Sequence, residues 1–238
     1  RRKREAEEEE ERARREAEEE ERRKRAEIDE RTARGTRAKW GGLAEPGSVK
    51  NLFGSRVACV ALGGTGALFV FENGEYGSTA GLPMGLHQRL GGRPGGDPPP
   101  DYVAMGSRGR YYVRFADGAS AWDGPRRMGE ELRTTDRRVA TVAFGALFDS
   151  YFIVYADGWW NCGNIPRDLD EKIKAETIGP DLVAVSLGPN GEWMMKTRDN
   201  KMWWGGLLPT VSATVLEHKD TITGTWFGDN GSYLIRHR

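Results

Sequence analysis

The feature that most constrains this chain is a repeat. A hydrophobic residue followed by glycine ends a β-branched run at Leu62-Gly63, Met105-Gly106, Phe144-Gly145, Leu187-Gly188 and Phe227-Gly228, at intervals of 43, 39, 43 and 40 residues. A unit of about 40 residues cannot bury a hydrophobic face alone, so the fold has to be built by setting one such unit against the next.

Each anchor is followed by a second strand-like run that opens on a hydrophobic or aromatic residue: LFVFENG at 68, YYVRFADG at 111, YFIVYADG at 151, WMMKTRDN at 193 and YLIRHR at 233. In the first four copies Asn-Gly, Asp-Gly or Asp-Asn closes the run, a turn supplied by residues that tolerate positive φ. A short third segment carries Trp and Gly, as in Trp122-Asp-Gly124 and Trp204-Gly-Gly206, and a Pro-containing stretch with helical spacing ends the copy. Leu82-Pro83 precedes Leu86 and Leu90, and Ile165-Pro166 precedes Leu169 and Ile173; Pro suits a first helical turn. One unit is therefore strand, tight turn, strand, Asx-Gly turn, short strand and one or two helical turns, which suits a propeller blade.

The fifth copy stops after its second run, and its missing half stands at the other end of the body. Trp40-Gly-Gly-Leu43 repeats Trp204-Gly-Gly-Leu207, with Pro46, Val49, Leu52 and Phe53 where other copies have their helix. Dividing one unit between the ends removes the open sheet edge at the seam of a ring. An open solenoid would want polar capping repeats and gives no reason for the division. The expectation is an all-β, five-bladed β-propeller over 35–238, with units at about 55–97, 98–136, 137–179 and 180–218 and a split unit of 219–238 plus 35–54. Short helices connect the blades, and a charged single helix precedes them.

The stretches VAMGSRGRYYVRFADGASAW (103–122) and VAVSLGPNGEWMMKTRDNKMWWGGLLP (183–209) resemble tandem repeats of about 40 residues in multidomain proteins of algae, oomycetes and other unicellular eukaryotes. The resemblance covers about residues 36–238. Unit 1 departs from it with Ser78 and Thr79 in place of Trp, and unit 3 with Cys162-Gly163. In general shape the expected ring is also similar to five-bladed lectin propellers of the tachylectin kind, although the motifs differ. The resemblance implies a binding or scaffolding module and carries no catalytic positions with it.

The overall charge balance of 36 basic and 36 acidic residues hides two unlike parts. Residues 1–34 are charged at 27 positions and hold no Gly, Pro or aromatic residue. Their acids precede bases at the i,i+4 spacing a helix rewards, as in Glu8 to Arg12, Glu18 to Arg22 and Glu27 to Arg31. At about 0.2–0.5 kcal/mol per pair, such contacts support a solvated helix roughly 50 Å long. No heptad seam recurs, which argues against a coiled coil. A disordered polyampholyte or a linker cut from a longer protein is the alternative, and the opening RRKRE, without Met, reads as part of something larger.

No apolar run approaches the roughly 18 residues of a membrane span, and no signal peptide opens the chain. Two cysteines, Cys59 and Cys162, make neither a disulfide framework nor a CxxC site, so the expected setting is intracellular: cytoplasmic or cytoskeletal, the axoneme included. Neutral charge in both parts gives no nucleic-acid footprint.

Catalytic motifs such as a P-loop, GxSxG, HExxH or an EF-hand loop are absent, so no enzyme activity, cofactor or metal is expected. Gly63-Gly-Thr-Gly66 reads as a turn with sister turns in GPNG and GDNG. His87, His218 and His237 do not cluster in sequence, the two cysteines read as small core residues, and Asp117 and Asp157 repeat at one turn position. The candidate binding residues are Trp40, Trp122, Trp160, Trp203 and Trp204. Trp40, Trp122 and Trp204 are equivalent and serve either packing between blades or a ring of sugar-stacking pockets. In the pairs Trp159-Trp160 and Trp203-Trp204 the rings point to opposite faces of a strand, leaving one of each for a partner. The sequence points to a noncatalytic protein-interaction or scaffold module in a larger assembly, with a glycan-binding propeller as the alternative. A peptide of residues 1–36 should give a helical circular dichroism spectrum in dilute buffer, and a coil spectrum would reject the helical arm.

Overall fold

The apolar runs of the repeat form fifteen strands among the described residues, which in this computed structural model are 37–41, 57–63, 66–79, 81–91 and 98–238. The expected arm helix over 1–34 and the stretch containing Pro46, Val49, Leu52 and Phe53 lie outside them. By its internal contacts the chain divides into two units, Arg1–Arg37 and Ala38–Arg238.

The strands make five antiparallel three-stranded sheets, and the architecture is β-propeller-like. Sheet 1 holds β2 (Val57–Gly63), β3 (Gly66–Phe71) and β4 (Tyr76–Ser78). Sheet 2 holds β5 (Pro100–Met105), β6 (Tyr111–Phe115) and β7 (Ser120–Asp123). Sheet 3 holds β8 (Val139–Phe144), β9 (Tyr151–Tyr155) and β10 (Trp160–Gly163), and sheet 4 holds β11 (Leu182–Leu187), β12 (Trp193–Thr197) and β13 (Met202–Gly205). Sheet 5 joins chain segments far apart in sequence: β1 (Arg37–Gly41) lies beside β15 (Tyr233–His237), which pairs with β14 (Ile222–Phe227). Helices follow the first four sheets: α1 (Met84–Gly91), α2 (Arg126–Thr134), α3 (Arg167–Ala175) and α4 (Pro209–His218). Pro125 and Pro166 are the N-cap residues of α2 and α3, and Pro209 opens α4, where a missing N–H costs nothing.

The hydrophobic-glycine anchor sets one sheet against the next. A methyl group on Gly63 would stand 2.7 Å from Met105 Cβ, one on Gly106 2.5 Å from Phe144 Cβ, and one on Gly188 2.9 Å from Phe227 Cβ. At Gly145 the neighbour in sheet 4 is Leu187 Cδ1 at 3.5 Å, and at Gly228 it is Leu62 Cβ of sheet 1 at 3.0 Å. In every case the glycine of one sheet lies against the anchor hydrophobe of its neighbour, and at Gly63, Gly106, Gly188 and Gly228 only a residue without Cβ lets the strands come that close. Basic side chains reinforce three of these junctions. Lys196 Nζ donates to Ile222 O and Arg236 Nη1 to Val57 O, each at 2.8 Å, and Arg114 Nη1 donates to Val139 O.

Each core cluster accordingly spans two sheets. Cys59 and Ala61 pack with Val103 and Met105 beneath Leu86 and Leu90 of α1, whereas Phe152 and Val154 pack with Val185 and Met195 beneath Leu169 and Ile173 of α3. The buried pairs on α1, α3 and α4 (Val211 and Val215) are four residues apart, one face of a helix. Every first strand also breaks register near its start, leaving Ala58, Asp101, Ala140, Val183 and Thr223 unpaired as bulge residues, a device that bends a strand and increases its twist.

Replacing Gly106 by Ala should lower stability by about 1–3 kcal/mol, read as a fall in melting temperature. Gly91→Ala is the control: nothing lies within 4 Å of the added methyl, so that change should be neutral or stabilising.

Candidate functional site

The turns between first and second strands gather the clearest departures from the repeat. Four of them read G-x-x-G, at 63–66, 106–109, 188–191 and 228–231, whereas the third reads GALFDS over 145–150. Its extra length carries two apolar side chains into solvent, Leu147 at 61% and Phe148 at 44% exposure.

Arg110, at the threshold of β6, organises that loop from the neighbouring sheet. Its side chain is only 1% exposed. Nη1 donates to Leu147 O at 2.7 Å and Ser150 O at 3.1 Å, Nη2 to Gly145 O at 2.7 Å, and Nε to Ser107 O at 3.0 Å. The guanidinium also lies 5.3 Å from the Phe144 ring centre and 5.9 Å from that of Phe148. Burial, with repulsion from Arg108, lowers its pKa to about 10, so it remains a cation at neutral pH. A buried cation spent entirely on carbonyls is costly unless each donor is placed; here three of these acceptors fix the 145–150 loop and Ser107 O, in the turn before Arg110, holds the guanidinium. Ser150, Glu192 and Ser232 occupy the matching threshold in sheets 3 to 5. On the same end of the strands, Ser107 Oγ donates to Asp229 Oδ1 of the β14–β15 turn, and exposed Leu208 lies against Gly231.

Among the described side chains, the sequence-selected tryptophans are not brought together into one site. Trp122 is half-buried in β7 with the Arg133 guanidinium 5.9 Å from its ring centre, and Trp204 Nε1 donates to Ser212 Oγ of α4 at 3.2 Å. Trp160 packs 5.6 Å from Phe152. Trp203 is half-buried and lines a cleft of about 430 Å³ with Asp181, Arg198, Asp199 and Lys201. Trp40 lies in β1, and its side chain is outside the described part. The glycine at this point of the repeat has a packing reason: a methyl on Gly205, after Trp204, would stand 2.5 Å from the Trp193 indole, and one on Gly163, after Cys162, 2.7 Å from the Tyr151 ring. Trp159, outside the candidate set, is half exposed beside Arg137, which pairs with Asp157.

The remaining candidates have local explanations. Asp117 and Asp157 accept from the backbone N–H two residues on, at 3.0 and 3.1 Å, and so shape their turns. Burial pushes both thiols, Cys59 and Cys162, up to about 11, far from the thiolate state that reactivity requires. His218 and His237 stack with ring centres 3.9 Å apart and planes within 9°, a contact between the end of α4 and the end of β15 that no sequence spacing indicates. His87 is exposed on α1, and among the described residues no three His, Cys, Asp or Glu side chains form a metal-binding group.

A cavity of about 290 Å³ lies among the first strands of all five sheets; among the described residues its lining is mainly apolar, with Asp101 as the one carboxylate and Lys196 and Arg236 as cations. Among the described residues no helix is long and apolar enough to cross a membrane.

No family model and no curated sequence matches the chain. Two solved structures are distantly similar. The crystal structure of human WBSCR16 matches at 15% identity and a TM-score of 0.44, over 77% of this chain and 58% of that one. The structure described as YCF48 bound to D1 peptide matches at 14% identity and a TM-score of 0.28, over 63% of this chain and 50% of that one. The chain thus spans a half to three-fifths of those structures, and neither likeness assigns an activity.

Arg110→Met should destabilise the fold by about 3 kcal/mol, since it strips several buried carbonyls of their donor. Amide exchange should quicken most at 145–150; an exchange pattern unchanged there would show that the loop does not depend on Arg110.

Proposed function

We propose that the chain is a noncatalytic protein-interaction module: a closed five-bladed β-propeller, its last blade completed by β1, on a charged helical arm that spaces it within a larger assembly. The observation that carries this reading is the loop over 145–150. A rigid loop that presents Leu147 and Phe148 to water has already met the ordering cost that weakens most surface contacts, and exposed apolar side chains on a fixed frame are the usual anchors of protein recognition. The closed ring rests on the anchor contacts, which run from each sheet to the next and from Gly228 back to Leu62. A cytoskeletal or axonemal setting follows only from the character of the arm and the repeat resemblance.

A carbohydrate-binding reading is favoured by one observation, the half-buried indole of Trp203 in a polar cleft. It requires stacking on that ring, and Trp203→Ala would abolish glycan retention if it held.

The double substitution Leu147→Ser with Phe148→Ser should leave the melting temperature within about 2 °C, since both side chains are exposed. It should reduce recovery of specific protein partners at least tenfold in affinity purification from the native cell. Recovery of the same partners by wild type and variant would reject the loop as the contact. A fragment of residues 35–238 that retains those partners would assign the arm the role of a tether.

A further inference from the structure

The repeat supplies its own comparison for the central cavity. In sheet 2, Arg114 on β6 sits opposite Tyr102 on β5 in the strand register, with its guanidinium 5.6 Å from the Tyr102 ring centre. Its Nε pairs with the bulge residue Asp101 at 2.8 Å. The Tyr102 hydroxyl reaches into sheet 3, donating to Val142 O at 3.0 Å and accepting from Val142 N at 2.9 Å. That junction therefore has its cation neutralised and its space filled.

In sheet 4 the same three positions are Lys196, Ala184 and Val183. Lys196 sits opposite Ala184 in the register, Val183 is the bulge residue, and all three line the cavity. Ala184 carries one methyl group where sheet 2 has the Tyr102 ring, and Val183 puts two methyl groups where Asp101 has a carboxylate. Lys196 uses one donor, to Ile222 O at 2.8 Å, and has no carboxylate partner among the described residues. Burial, with Arg238 as a neighbouring cation, holds its pKa below the usual lysine value. Arg236, the matching residue of sheet 5, lines the same cavity as a second cation, with the Trp226 ring 5.5 Å away. Met194 and Met202 supply an apolar wall beside Lys196, and methionine adapts its shape to what it meets.

We propose that this cavity binds a small carboxylate with an apolar body, its head group on Lys196 in the place Asp101 takes beside Arg114, and its body along Ala184, Met194 and Met202. The volume, about 290 Å³, stands at the lower end of small-molecule pockets and suits a ligand of a few to about ten heavy atoms. A charge-assisted contact to a partly buried ammonium gives the head group its preference over a neutral one.

Hexanoate is the probe, with hexanol as its neutral counterpart, titrated into the full chain by calorimetry. Hexanoate should bind at least tenfold more tightly than hexanol. Val183→Asp installs the sheet-2 arrangement in sheet 4 at a residue 45% exposed, so the variant should fold and lose at least tenfold in hexanoate affinity. Lys196→Met should do the same, and Ala184→Leu should block binding by filling the space. No hexanoate binding up to 10 mM, equal binding of hexanol, or undiminished affinity in a folded Val183→Asp variant would each overturn the proposal.

Discussion

The close approach of a glycine to a hydrophobe in the next sheet is the contact on which the rest of the structure depends. Each sheet has only three strands, and such a sheet cannot bury both faces alone. Setting Gly106 on Phe144, or Gly188 on Phe227, brings first strands near enough for valines and leucines of neighbouring sheets to share one core, and among the described residues a helix covers four of the five shared cores. The basic side chains at Arg114, Lys196 and Arg236 then reach the backbone carbonyl of the adjacent first strand.

Once the junctions are equivalent, differences between them become informative. Arg110 is one: where sister positions hold Ser or Glu, a fully buried guanidinium is committed to carbonyls of the neighbouring loop, and that loop alone displays two apolar side chains. Lys196 is another, because its bulge neighbour is Val183 where Arg114 has Asp101. A repeated architecture makes such departures visible without any other sequence for comparison. They also fall where a scaffold has freedom to vary: in turns, and along the lining of a cavity, rather than at the anchors.

Much of the local structure was legible in the sequence for a physical reason. Strands and turns are short-range: YYVRF becomes β6 and YFIVY becomes β9 because aromatic and β-branched residues suit a pleated surface, and Asp117-Gly118 turns because the carboxylate caps its own backbone while Gly accepts φ of 87°. Pro166 with Leu169 and Ile173 marks a helix by the same local logic. The tryptophans were less legible. The sequence left two readings open for them, packing between blades or stacking surfaces, and Trp122, Trp160 and Trp204 are half-buried against neighbouring elements.

What the sequence determined by itself was the unit: its period, its three strands and helix, and the division of the fifth copy between two distant segments. These follow from periodicity and turn chemistry, which act over a few residues. Only the tertiary structure decided what each departure from the unit meets. That Arg110 grips a loop 35 to 40 residues further on, that His218 stacks on His237, and that Lys196 lines the cavity with no carboxylate of its own bulge residue, as Arg114 has in Asp101, are consequences of how sheets abut. Spacing along the chain carries no record of the distance between side chains on different sheets.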